Sequence, residues 1–160
     1  MYLLRHGDAL ESGYDDVLRP LSSHGEGHAA FVAEMLSSSN IVIDRILSSP
    51  LLRAKQTASI IQEKLGIKKF EVTEYLVPGT DQRQLIQQLN MLSDHSVLLV
   101  GHEPLLHTFI TVFAGDGEAL RVELRKGTLV CMDIQTPFRR GGGELKWVRT
   151  TDQMREGLRR

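Results

Sequence analysis

The sequence predicts an α/β fold: a three-layer α/β/α sandwich on a central, mostly parallel sheet. Two observations carry this expectation. Leu3-Leu4 and Val97-Leu98-Leu99-Val100 are apolar runs with no alternating polar residues, the pattern of strands buried on both faces. Between and after such runs lie segments with helical spacing and recognisable start signals. Strands that alternate with helices imply parallel pairing, and the last strands make the sheet mixed.

In chain order, residues 2–5 form the first strand and Gly7 turns the chain sharply, with no side chain to crowd a ligand. A polar loop covers 11–16. Ser23 with Glu26 has the capping-box form, so a helix starts there. Ala29, Phe31, Val32, Met35 and Leu36 repeat at helical spacing, and 37–40 end it. Residues 41–47 are rich in β-branched side chains and form the second strand. Ser49 caps and Pro50 opens a helix over 50–65, with Gly66 at its C-terminal cap. A short strand at 70–73, a turn at 77–81 and a helix over 83–92 follow, the last with Leu85, Ile86 and Leu89 inward. Residues 96–101 form a strand, 105–113 a helix and 115–117 a loop. Two strands, 128–135 and 145–149, are joined by glycines at 141–143, and the polar end after Thr150 is expected to fray.

At 160 residues, residues 1–160 read as one domain with room for a real core. A net charge of -1 supplies no global field for nucleic acid or an acidic membrane, so any anion recognition rests on a few local cations. No apolar run approaches the roughly 20 residues that span a bilayer, and residues 1–5 open directly into a core strand, so the expected location is cytoplasmic. The single cysteine, Cys131, lies in an apolar run and reads as a small core residue.

The chemistry gathers at strand ends. The first strand delivers Arg5 and His6, the helix after the second strand delivers Arg53, and the 96–101 strand delivers His102. Open α/β sheets bind ligands at their carboxyl edge. If these strands are neighbours, two guanidiniums, two imidazoles and a helix N-terminus form a pocket suited to a phosphoryl group.

Arg5-His6-Gly7, the stretch from Ser48 to Ala58 and Val100-Gly101-His102-Glu103-Pro104 together resemble the three ordered motifs of the histidine phosphatase superfamily, the phosphoglycerate-mutase-like proteins. The compact length, Asp8, Arg19-Pro20-Leu21 and Leu76-Val77-Pro78-Gly79 resemble its SixA-type branch, the phosphohistidine phosphatases. The resemblance implies a phosphatase in which His6 attacks phosphorus and carries a covalent phosphoryl group. Arg5, Arg53 and His102 would hold its oxygens, and neither metal nor cofactor would be needed. Gly7, Asp8, Arg19 and Glu103 are its expected substrate-binding residues. Glu74 is the candidate general acid, with Glu103 and Asp8 as alternatives. The implied partner is a phosphohistidine-bearing protein, such as a phosphotransfer domain in signal transduction, or else a small phosphate ester. Nucleic acid and membrane are not expected partners.

Plainer readings stand beside these. His24 and His28 have metal-pair spacing without a third ligand and read as a solvated helix face. His95 reads as a loop residue, and His107 as a core residue or one behind the site. Arg19 is either an ordinary surface arginine or part of a substrate loop. The rivals to a phosphohistidine phosphatase are a small-molecule phosphomonoesterase and a non-catalytic phosphate-binding module. The module has no use for a nucleophile.

Overall fold

The computed structural model describes residues 1–11, 13–115 and 122–158. Its sheet contains β1 (Tyr2–Arg5), β2 (Arg45–Ser48), β3 (Lys69–Val72), β4 (Val97–Gly101), β5 (Leu129–Ile134) and β6 (Gly143–Arg149), in the order β3-β2-β4-β1-β5-β6. β3, β2, β4 and β1 are parallel; β5 runs antiparallel to β1, and β6 antiparallel to β5. The sheet is therefore mixed, and the two strands that the apolar runs marked, β4 and β1, lie side by side at its centre.

Adjacent strand residues point to opposite faces, and the two apolar cores follow from that alternation. Leu4, Ile46, Leu98 and Val100 pack under α1 (Ser23–Ser38) and α2 (Leu52–Leu65). Leu3, Leu47 and Leu99 pack under α3 (Gln82–Asn90) and α4 (Leu105–Ala114), where Phe109 and Phe113 fill the largest volumes. Each fully buried leucine stabilises the fold by about 2 kcal/mol. These faces explain why the runs lack polar alternation.

Several boundaries differ from the sequence reading. The cap of α1 is Ser22, whose Oγ accepts from Gly25 N at 3.1 Å, because Ser22 Oγ is also engaged by Asp8 at 2.8 Å. β2 begins at Arg45 instead of residue 41, since the Asp44 carboxylate accepts from the backbone of His95 and Ser96 and forms a corner there. α2 begins at Leu52, two residues after Pro50, because Ser49 is drawn into the site described below. Gly66 closes α2 in the left-handed conformation, φ 66°.

The end of the chain does not fray after Thr150. Residues Thr151–Leu158 form α5, which packs on α1 with Met154 buried among the α1 and α2 side chains. Arg155 stacks on Phe31, 4.6 Å from the ring centroid. His28 on α1 is buried, so only His24 keeps the solvated character expected of both. Cys131 is half-buried rather than in the core. Of the expected 115–117 loop, Asp116 and Gly117 lie outside the described residues.

One close approach positions everything at the carboxyl edge. A Cβ on Gly25 would collide with the backbone oxygen of Asp8, and one on Gly7 with the backbone oxygen of Gly25. The turn after β1 and the first turn of α1 thus touch backbone to backbone, which only paired glycines allow. Gly25→Ala should lower stability by about 1–3 kcal/mol through overpacking, read as a lower urea midpoint with unchanged slope.

Candidate active site

Parallel register places three strand ends side by side. Arg5 pairs with Gly101 across β1 and β4, and Ser48 with Val100 across β2 and β4. The ladder continues one step further, through His6 N to Gly101 O and Ser49 N to Val100 O, both at 3.0 Å. His6, Ser49 and His102 therefore leave the sheet at the same level. α2 rises from beside them and presents Arg53 from its first turn.

His6 is buried, and its Nδ1 lies 2.6 Å from its neighbour's carbonyl, Gly7 O. A carbonyl can only accept, so Nδ1 carries the proton and the lone pair sits on Nε2. Arg53 Nε donates to that Nε2 at 3.3 Å. Burial, then the charges of Arg53, Arg5 and Lys126, lower the His6 pKa to about 4, against the opposing pull of the Gly7 carbonyl. The ring is a neutral nucleophile at ordinary pH.

His102 stands with its ring centroid 4.9 Å from that of His6. Burial first, then His6 and Arg53, lower its pKa to about 3. Its Nε2 lies 2.8 Å from Ser49 Oγ, and that hydroxyl accepts from Leu51 N at 3.3 Å. The Ser49 hydroxyl, already accepting from Leu51 N, can donate its own proton to Nε2, an arrangement that leaves the His102 proton on Nδ1. Arg5 Nη1 donates to Leu124 O at 2.6 Å. Arg5 Nε and His102 Nδ1, with Arg19 Nε nearby on the adjoining loop, are buried without a partner among the described residues. Buried donors without partners are costly unless a ligand completes them.

Cations, two neutral imidazoles and unspent N–H donors around one nucleophile make a site for a tetrahedral oxyanion. Residues 1–77 match the family model of the histidine phosphatase superfamily, branch 1. Phosphohistidine phosphatase SixA of Escherichia coli (strain K12) is 33% identical over 110 residues, spanning 66% of this chain and 68% of the relative. The chain belongs to the histidine phosphatase superfamily. It is a phosphatase of the SixA-type branch. The structure of protein histidine phosphatase SixA complexed with tungstate superposes with a TM-score of 0.86 at 26% identity, covering 96% of this chain and 97% of that one. The fold is shared more widely: the alpha-ribazole phosphatase of Shigella flexneri matches with a TM-score of 0.66 at 18% identity, over 94% and 96% of the two chains.

Within this superfamily frame the structure sorts the remaining sequence candidates. Arg19 joins the site through Asp16, at 3.0 Å. Asp8 is committed to Ser22 Oγ and, at 2.7 Å, to Lys126 Nζ, and the Lys126 hydrogen bond holds its carboxyl below the usual range. It is thus an anchoring carboxylate and a poor acid. Gly7 gives its N–H to Thr57 Oγ1 at 3.1 Å and its open face to Gly25, so backbone packing, not room for a ligand, explains the glycine. Glu103 is half-buried directly after His102. Glu74 is exposed at the start of a short turn beyond β3, in a groove with Tyr75, Gln84, Gln88 and Met91. No hydrogen bond among the described residues joins it to Arg5, His6, Arg53 or His102. No group of three His, Cys, Asp or Glu among the described residues could hold a metal ion, His24 and His28 included. No helix there is long and apolar enough to cross a membrane.

Four residues of the site were missed. Ser49 was read only as a cap, although its motif position marked it. Thr57 ties the two motifs together, accepting from Gly7 N and donating to Arg53 O at 2.7 Å. Asp16 and Lys126 come from loops with no pattern that could single them out.

The lowered imidazole pKa values make stability depend on pH. The folded His6 pKa of about 4 lies below its ordinary 6.5, so between those values the unfolded chain binds a proton that the folded chain refuses. Stability should be full above pH 6.5 and fall as pH drops toward 4, with His102 extending the loss toward 3. Urea midpoints across pH, with NMR titration of the ring nitrogens, check both. Protonation of His6 near pH 6.5 would contradict the assignment.

Proposed function

We propose that this chain hydrolyses protein phosphohistidine through a covalent phosphohistidine on His6. The observation that carries this reading is the His6 ring itself: its proton is held on Nδ1 by Gly7 O, its Nε2 accepts from Arg53 Nε, and the His102 ring lies beside it. A neutral imidazole with a fixed tautomer needs no base to become a nucleophile.

In the first step Nε2 of His6 attacks phosphorus, and the bond from phosphorus to the substrate nitrogen breaks. The electron pair leaves with the substrate imidazole, which takes a proton from solvent. Arg5, Arg53, Arg19 and the Nδ1–H of His102 neutralise the phosphoryl oxygens as charge shifts among them. The Gly7 carbonyl stabilises the positive charge that His6 acquires on bonding to phosphorus. In the second step water attacks phosphorus, the Nε2–P bond breaks, and inorganic phosphate and neutral His6 are regenerated as the water proton passes to solvent.

The phosphohistidine substrate is supported by two further facts. SixA, a relative that aligns over 66% of this chain, is named a phosphohistidine phosphatase. Of the carboxylates considered as the acid, Asp8 is paired with Lys126, and Glu74 is exposed without a hydrogen bond to the four central side chains. A leaving imidazole requires far less acid assistance than an alkoxide, so such a site suits P–N cleavage better than P–O cleavage. The tungstate bound by the SixA structure is a tetrahedral oxyanion, as phosphate is.

Phosphate release from a phosphohistidine-bearing phosphotransfer domain, compared with a panel of sugar, nucleotide and aryl phosphates, tests the assignment. The protein substrate should be preferred. His6→Ala should cost about a thousandfold or more in kcat, and Arg53→Ala about a hundred- to thousandfold. Glu74→Gln should leave turnover of the protein substrate unchanged. Faster turnover of a small ester, with a large loss in Glu74→Gln, would replace this reading with a metabolite phosphatase whose acid is Glu74.

A further inference from the structure

Asp16, absent from the sequence reading, makes more contacts with the site's cations than any other carboxylate there. It lies on a short helical turn, Asp16–Leu18, in the loop between β1 and α1. Its backbone oxygen accepts from Arg53 Nη1 at 2.6 Å and its Oδ2 from Arg53 Nη2 at 3.2 Å. Its other carboxylate oxygen, Oδ1, meets Arg19 Nη2 at 3.0 Å. With Nε of Arg53 directed at His6, every nitrogen of that guanidinium has a partner.

One carboxylate that bridges two guanidiniums through its two oxygens has the arrangement that a phosphoryl group would take. We infer that the Asp16 carboxylate occupies the Arg53 and Arg19 positions of the phosphoryl subsite and leaves them when a phosphoryl group enters. The inference rests on the phosphatase reading and adds to it a residue that sets the affinity of the site for small phosphate anions.

The contacts rank in the order that displacement requires. Arg53 is buried and cannot move far, whereas the Asp16 side chain is 66% exposed and can turn into solvent. The backbone bond at 2.6 Å keeps Arg53 in place after the carboxylate has gone. The carboxylate is ionised: burial pushes its pKa up, but the hydrogen bond and charge of Arg53, together with Arg19, hold it below the usual range. A phosphate dianion that enters must therefore replace one anion rather than fill a bare cationic pocket. The product phosphate is loosened by the returning carboxylate, and free phosphate is kept from saturating the site.

The exposed neighbour Asp15, whose side chain caps nothing, provides a control of equal charge. Isothermal titration with inorganic phosphate on wild type, Asp16→Asn and Asp15→Asn decides the matter. Asp16→Asn should bind phosphate about fivefold more tightly and be inhibited by it correspondingly more, while Asp15→Asn should resemble wild type. Equal tightening in both variants would reduce the effect to general charge and overturn the inference. Unchanged or weaker binding in Asp16→Asn, or no phosphate binding in any of the three, would also overturn it. If instead the affinity gain appeared without any turnover of phosphohistidine protein, the catalytic reading would fail and the displacement would stand.

Discussion

The site depends on the backbone register of β4, held between β1 on one side and β2 on the other. Those ladders are parallel, so all three strands point their carboxyl ends the same way. Three short turns then leave one edge at one level, and each carries a side chain that would be misplaced by a shift of a single residue. The two apolar cores enforce that register, because a slip would turn Leu3, Leu47 and Leu99 onto the wrong face. Helix packing on both sides of the sheet is thus the means by which His6, Arg53 and His102 come together.

Gathering cations in a buried place is unfavourable unless anions or hydrogen bonds compensate. Here the compensation is divided. Asp8 balances Lys126 at the outer rim, Asp16 balances Arg53 and Arg19, and Arg5 relies on the Leu124 carbonyl. The two imidazoles respond to the same field by staying neutral, as their lowered pKa values record. Charge that would have made His6 a cation instead leaves it nucleophilic. A phosphoryl group completes the balance, since it brings negative charge to the donors still lacking partners.

Strands buried on both faces declare themselves by unbroken apolar runs, so β1 and β4 were readable from sequence. The left-handed cap at Gly66 was equally plain, because glycine there meets no steric penalty. Boundaries were less legible wherever a polar side chain had two possible partners. Ser49 looks like a cap in sequence, but in space His102 claims its hydroxyl; Ser22 caps α1 because Asp8 holds it there. The last helix was misread as a frayed end because, among its residues whose burial is described, only Met154 is both apolar and buried, too little to show against a polar tail.

By itself the sequence determined the superfamily and the order of strands and helices as far as β6, and it singled out the side chains that the fold gathers at one sheet edge, because motif residues adjoin strand ends and local pattern records them. Tertiary structure decided what those side chains do at rest. It chose the His6 tautomer through Gly7 O, assigned Asp8 to Lys126, left Glu74 without a bond to the central residues and brought Asp16 onto two arginines. Those outcomes depend on partners far apart in the chain, Lys126 lying 118 residues from Asp8 and Arg53 lying 37 from Asp16. A loop carboxylate carries no periodic signal of the cation it will meet, so only the folded chain can name it.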